Sequence, residues 1–216
     1  LETAVRELGL GKVKTIELDY AASSLGSLKE WFLKRLYMAA CGSQSSPVPQ
    51  DSLEHIRIYF PTHDTVANST GGPACGGVIN LNRQFFENQA FPKQCMRDYI
   101  STRPGVLSHN KLLLARGRKT DGTPFAWAYI GSANLSEAAW GRQNELKSGR
   151  PGKLSINNWE AGVVIPVPEE AFKELKVEDG EVPPMTVFGK ILEIPFQYPG
   201  EPYGSRKPWY FMEYLG

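Results

Sequence analysis

Two strand-like runs, residues 111–115 and 125–130, joined through the turn residues Lys119-Thr120-Asp121-Gly122, constrain the fold more than any other feature. Asp-Gly between two apolar runs is the signature of a β-hairpin. The second run continues into Gly131-Ser132-Ala133-Asn134 and a short helix expected over residues 135–140. A hairpin that feeds a helix must bury its apolar surface against further elements. The sequence supplies them. Residues 13–20 alternate in the manner of a strand, and 56–60 form another that Pro61 stops. Residues 159–167 read as a strand ending in Pro166 and Pro168. Leu28, Trp31, Phe32, Leu36 and Ala39 share one helical face, and Ser27-Leu28-Lys29-Glu30 is a capping-box pattern that would start this helix at Ser27. Residues 1–10 read as the end of a helix closed by Gly9 and Gly11, and 82–100 as helical with a break at Pro92. Loops are expected over 42–50 and over the glycine-rich 68–77. Strands and helices alternate, so the fold class is α/β: a mixed β-sheet flanked by helices, in one domain over residues 1–216. Its last part, 180–216, is rich in Pro, Gly and aromatics and is expected to wrap the core irregularly.

The 216 residues suffice for one sizeable core. No apolar run approaches the roughly 20 residues of a membrane-spanning helix, and no N-terminal stretch reads as a signal peptide. The formal net charge of +1 gives no overall electrostatic attraction for nucleic acid, so any such site must arise from local placement. Cys41, Cys75 and Cys95 are an odd set without paired spacing, which points to a reducing compartment. The three histidines form no ligand pattern, and no metal or cofactor is expected.

The chemistry-bearing stretch is Ser108-His109-Asn110-Lys111, followed by Tyr129-Ile130-Gly131-Ser132-Ala133-Asn134-Leu135-Ser136. On a strand, His109 and Lys111 point to the same face. Together they offer a place for an anion. Asn134 stands at the strand-to-helix junction, where backbone N–H groups and the helix dipole add to the attraction. Phosphoryl transfer needs a group that moves a proton and fixed donors for the equatorial oxygens, and these three residues supply both. Each also has a plainer use. His-x-Lys is a common strand pattern, and Asn134 would cap the helix with Glu137 as its partner.

The run His109-x-Lys111, then Gly131-Ser132-Ala133-Asn134-Leu135-Ser136 and Ala138-Ala139-Trp140-Gly141, resembles the second catalytic motif of the tyrosyl-DNA phosphodiesterases, members of the phospholipase D superfamily. The wider superfamily has Asp after the lysine. None follows Lys111 at that place here, and Asn134 occupies the helix start, as in the phosphodiesterase pattern. Ser23-Ser24-Leu25-Gly26-Ser27 resembles the family's serine-glycine turn. Gly76-Gly77 lies where the family has a glycine-rich loop, with Gly77 in place of the usual serine. Asn158-Trp159-Glu160-Ala161-Gly162-Val163 resembles its Glu-x-Gly-Val strand, and Lys207-Pro208-Trp209 its C-terminal tail.

The resemblance implies a phospholipase D-like C-terminal half of a pseudo-dimeric enzyme, whose N-terminal half, absent here, supplies a nucleophilic histidine. It implies metal-free hydrolysis of the bond between a DNA 3′ phosphate and a topoisomerase-derived tyrosine, through a phosphohistidine, by a monomeric nuclear repair enzyme. His109 would be general acid and then base. Lys111 and Asn134 would bind the equatorial oxygens, and Glu160 would orient His109. Ser24, Ser27, Gly76, Gly77 and Ser136 would contact DNA, and Trp209 the peptide side. The isolated chain is expected to fold and hydrolyse little. Arg116, Arg118 and Lys119 form a basic hairpin tip, read as a solvated turn. His55-Ile56-Arg57 is rejected as a first half-site, because Arg57 stands where a lysine is needed. Two rival readings remain: a dimerising phospholipase D-type nuclease or phosphodiesterase, and a non-catalytic nucleic-acid-binding module.

Overall fold

A computed structural model describes residues 1–43, 47–145 and 151–214. The loop expected over 42–50 and the tail over 180–216 therefore lie partly outside the described residues. In chain order the helices are α1 (Glu2–Glu7), α2 (Glu30–Ala40), α3 (His63–Ala67), α4 (Arg83–Glu87), α5 (Glu137–Trp140), α6 (Glu169–Glu174) and α7 (Phe211–Tyr214). The strands are β1 (Val13–Ala21), β2 (Ser24–Leu25), β3 (Ile56–Phe60), β4 (Asn80–Leu81), β5 (Met96–Asp98), β6 (Leu112–Lys119), β7 (Pro124–Gly131), β8 (Arg142–Glu145), β9 (Pro151–Ser155) and β10 (Gly162–Pro166).

Six strands form one mixed sheet in the order β10-β7-β6-β1-β3-β5, flanked by helices, as the alternation of elements predicts. The pairs β10·β7, β7·β6 and β6·β1 are antiparallel, while β1·β3 and β3·β5 are parallel. Both faces of the central strands are buried. Ile16, Leu18, Tyr20, Ile58, Leu113, Trp127 and Tyr129 meet Val5 of α1 and Phe32, Leu33 and Leu36 of α2 on one face. Leu112, Leu114, Ala126, Ala128 and Tyr59 meet Phe172 of α6, Phe188 and Phe196 on the other. The period-two alternation sends successive residues of each strand into these two cores.

The tail after residue 180 covers the β5 edge. Gln197 and Asp98 donate their N–H groups to Ile100 O and Glu201 O, at 2.8 and 3.0 Å. Tyr203 Oη donates to Phe60 O at 2.6 Å, and Phe196 packs its ring 4.3 Å from that of Tyr59. An otherwise open row of ladder groups is thereby satisfied.

Several local expectations change. No helix runs through 82–100. Only α4 forms there, then a 3-10 turn at Lys93–Cys95, and then β5, which extends the parallel side of the sheet. Asn88 leaves helical geometry (ψ 134°), and Pro92 prevents its resumption. The capping box at Ser27 does not form. The chain is extended through the N-cap Lys29 and α2 begins at Glu30. The hairpin tip is not simply solvated. Arg118 is only 4% exposed and donates to Glu178 O, Glu181 O and Gly122 O, while Arg116 donates to Pro183 O at 3.0 Å. These arginines pin the return segment that the sequence left irregular.

Beneath them lies a buried ion-pair cluster. Arg57 grips Asp19 in a two-pronged contact (Nε to Oδ1 2.6 Å, NH2 to Oδ2 2.9 Å) and reaches Glu17 at 2.6 Å. His55 Nδ1 lies 2.7 Å from Glu17 Oε1. This is why His55 and Arg57 belong to the scaffold. The Asp19 side chain is 2% exposed, so removing it strands Arg57 and Arg116 in the interior. Asp19→Ala is expected to lower stability by about 3–5 kcal/mol in urea denaturation. A loss below about 1 kcal/mol would mean that water reaches this cluster freely.

Candidate active site

Four strand ends meet at one edge of the sheet. The C-terminal ends of β1 and β7 lie beside the N-terminal ends of β6 and β10, with Ala21 opposite Leu112, Leu112 opposite Ile130, and Gly131 opposite Gly162. The last rung bonds Gly131 N–H to Lys111 O at 3.3 Å. The segments carrying Ser24, Lys111, Asn134 and Glu160 adjoin the sheet here.

Lys111 immediately precedes β6 and is 7% exposed. Its ammonium donates to Ser23 Oγ at 2.6 Å and to the carbonyl of His109 at 2.7 Å. Burial lowers its pKa, and the nearby Glu160 carboxylate opposes that shift. His109 is exposed, and among the described residues its ring makes no hydrogen bond. Its pKa is lowered by partial desolvation first and by the Lys111 charge second. Burial lowers both groups, and only His109 is lowered further by the neighbouring cation.

Asn134 does not cap α5. Ser136 does, accepting the N–H of Ala139 at 3.2 Å. Asn134 instead turns inward, and its Oδ1 accepts from Ser24 N–H at 3.0 Å and Ser23 Oγ at 3.2 Å. The preceding peptide is clamped on both sides. Tyr20 Oη donates to Ala133 O at 2.8 Å, and Ala133 N–H donates to Tyr129 Oη at 3.3 Å. Trp140 Nε1 donates in turn to Tyr20 Oη at 2.8 Å. The Asn134 backbone is thus fixed by aromatic hydroxyls that sit in the core beneath it.

The serine-glycine turn closes against this junction. Gly26 N–H donates to Leu135 O at 3.0 Å, and a Cβ on Gly26 would stand 2.9 Å from Ser136 Cβ. Only glycine permits that approach. Ser24 and Ser136 are half-buried here, and Ser27 is exposed on the same turn. Glu160, expected to orient His109, bonds to other groups. Its carboxylate accepts from Ser132 Oγ and from Asn158 Nδ2, the latter at 3.0 Å, and no hydrogen bond joins it to His109 among the described residues.

The glycine loop is tethered to the site through Asn80, whose N–H donates to Ser23 O at 2.9 Å. Gly76 is buried beneath Trp209, whose indole Nε1 donates to Gly76 O at 3.0 Å, and Gly77 is exposed against Phe211. Trp209 is 2% exposed. That corrects the expectation of a peptide contact: the indole fills the space that a side chain at position 76 would need, and offers no free face. A cleft of about 450 Å³ adjoins the site and is lined by Ala22, Thr62, Tyr99, Ser108 and Asn110, but not by His109, Lys111 or Asn134.

Sequence reasoning missed Ser23, Ser132 and the tyrosine clamp. In the structure Phe125, Trp127 and Tyr129 alternate onto one buried face, as do Ile16, Leu18 and Tyr20.

A family model, tyrosyl-DNA phosphodiesterase, matches residues 1–204. The chain belongs to the tyrosyl-DNA phosphodiesterase family. It is 27% identical over 190 residues to a probable tyrosyl-DNA phosphodiesterase of Caenorhabditis elegans, covering 85% of this chain and 36% of that protein. It is 27% identical over 201 residues to tyrosyl-DNA phosphodiesterase 1 of Drosophila melanogaster, covering 89% and 33%. Its fold resembles the crystal structure of a mutant yeast tyrosyl-DNA phosphodiesterase 1, with a TM-score of 0.58, 18% identity, and coverage of 91% of this chain and 50% of that one. The chain therefore spans about a third of the length of these curated family members. Among the described residues, no group of three His, Cys, Asp or Glu side chains is placed to hold a metal ion, and no helix is long and apolar enough to cross a membrane.

If Lys111 depresses the His109 pKa by its charge, Lys111→Met must raise the midpoint of His109, because the competing cation is gone. An NMR titration of the imidazole protons reads this directly. An unmoved or lowered midpoint would show that desolvation alone sets the value.

Proposed function

We propose that this chain is the C-terminal catalytic half of a DNA-repair phosphodiesterase that hydrolyses the bond between a DNA 3′ phosphate and a topoisomerase-derived tyrosine. The observation that carries the reading is the convergence of Lys111 and Asn134 on one shared hydroxyl, with His109 two residues away and an α-helix starting beside them. Family membership supports it.

In this reading a histidine from the remainder of the enzyme attacks phosphorus, and the P–O bond to the tyrosine breaks. The imidazolium of His109 gives its proton to the leaving phenolate. Water then attacks the phosphohistidine while neutral His109 accepts its proton, and the P–N bond breaks. A depressed His109 pKa favours the first step, since the imidazolium is a stronger acid, and for the same reason makes the neutral ring a weaker base in the second. Lys111 and the Asn134 amide would hold the equatorial oxygens as charge develops. Glu160, close enough to affect the Lys111 charge, would balance the site's cations. The remaining DNA contacts would fall on Ser24, Ser27 and Ser136, beside the start of α5, and on the loop of Gly77. The enzyme acts as a nuclear monomer in this reading.

The test is cleavage of a 3′-phosphotyrosyl oligonucleotide in EDTA by the natural full-length chain. His109→Ala is expected to reduce turnover by about 10²–10⁴-fold, and Lys111→Met or Asn134→Ala by about 10²–10³-fold. The 216-residue chain alone is expected to show no turnover. Full activity of His109→Ala would favour a binding module, and activity of the isolated chain with a dimeric mass would favour a self-pairing phospholipase D-type enzyme.

A further inference from the structure

Resting on the proposed function, we infer that Ser23 is a positioning residue whose hydroxyl couples the Lys111 ammonium to the Asn134 amide and so aims both at one substrate oxygen. Ser23 is 2% exposed and lies in the bend after β1, between the two side chains. Its contacts are directional. An ammonium can only donate, so at 2.6 Å Ser23 Oγ accepts from Lys111. The serine proton is then free for another acceptor, and Asn134 Oδ1 lies 3.2 Å away. The same Oδ1 accepts the backbone N–H of Ser24 at 3.0 Å.

Two donors on one amide oxygen settle which way the Asn134 amide faces. The flipped amide would set its NH₂ against the Ser24 N–H, donor against donor. With Oδ1 spent inward, both amide hydrogens remain for a ligand. Lys111 has likewise used two of its three N–H groups, on Ser23 and on His109 O, which leaves one. The unspent donors of two side chains at the ends of different strands are thereby held in a fixed relation through a single hydroxyl. Donors set in advance at the place where charge develops act mainly on the transition state. Ser23 touches no reacting atom in this scheme. It also accepts a hydrogen bond from the charged form of Lys111, which favours that form against the burial that disfavours it.

The experiment compares Ser23→Ala, Ser23→Cys, Ser23→Thr and His109→Ala in the natural full-length chain, with a 3′-phosphotyrosyl oligonucleotide as substrate. Ser23→Ala is expected to lower kcat by about 10–100-fold with KM within about twofold. Ser23→Thr keeps the hydroxyl and should recover most of kcat. Ser23→Cys keeps the size but is a poor acceptor, and should behave like Ser23→Ala if that variant does not fold. Wild-type kcat in Ser23→Ala or Ser23→Cys, a defect confined to KM, or no rescue by Ser23→Thr would overturn the inference while leaving the proposed function intact. An inactive wild-type enzyme, or a fully active His109→Ala, would overturn both.

Discussion

The pairing register of β6 and β7 is the constraint on which the rest of the site depends. With Leu112 opposite Ile130, and Gly131 bonded to Lys111 O, the hairpin ends with its lysine level with the start of the Gly131-to-Asn134 segment. A slip of one residue would turn Lys111 toward the opposite core and lift Asn134 off Ser24. The register is held by bulk. Trp127 and Leu113 are fully buried on one face, and Ala126, Ala128 and Leu114 fit under Phe188 and Phe196 on the other, so an exchange of faces would overfill one core and empty its counterpart. β1 is locked to the same ladder through Ala21 and Leu112, which brings Ser23 to the junction.

The sheet carries buried charge on both faces and treats it in opposite ways. On the face of Asp19, Glu17 and Arg57, almost every donor meets an acceptor, and the cluster is a closed network. Around Lys111 the account stays open. Its ammonium is nearly buried, yet its contacts are a hydroxyl and a carbonyl rather than a carboxylate. The nearest acid felt by Lys111, Glu160, is itself engaged by Ser132 and Asn158. A burial that lowers the Lys111 pKa without a paired counter-ion costs stability, and an arriving anion relieves that cost. The closed network is a structural element, whereas the open one leaves a nearly buried ammonium without a carboxylate partner among the described residues.

The sequence made the sheet readable because strand periodicity and turn chemistry agree there. β3 spans the 56–60 predicted from its pattern, and the Asp121-Gly122 turn closes the β6–β7 hairpin, with Gly122 at φ +86°. His109, Lys111 and Asn134 could be picked out as candidates from type and spacing, and the structure brings them to one junction. What misled was local pattern without tertiary context. Residues 82–100 carry a helical apolar pattern, yet Met96–Asp98 gain more by pairing with β3. Ser27 and Asn134 both look like helix caps, but the helices start at Glu30 and Glu137, because the preceding residues pair with other segments of the chain. Ser23 was hidden by parity. Extending the inward series Ile16, Leu18, Tyr20 reaches Ala22 and Ser24, and only the bend at the end of β1 turns Ser23 toward Lys111. Trp209 was misread because nothing in an isolated Lys-Pro-Trp shows that a glycine far away has left a slot for its indole.

The tail laid along β5 gives the sheet two unlike rims. At the β5 rim the backbone hydrogen bonds are consumed by the chain's own return segment, so another strand has nothing to template on. At the other rim β10 pairs only with β7 among the described residues, and Val163 and Ile130 remain exposed there. The sheet is in this sense polarised like a ruler with one end sealed. It can be lengthened in a single direction, and that direction is the one nearest Glu160 and the Gly131-to-Asn134 junction.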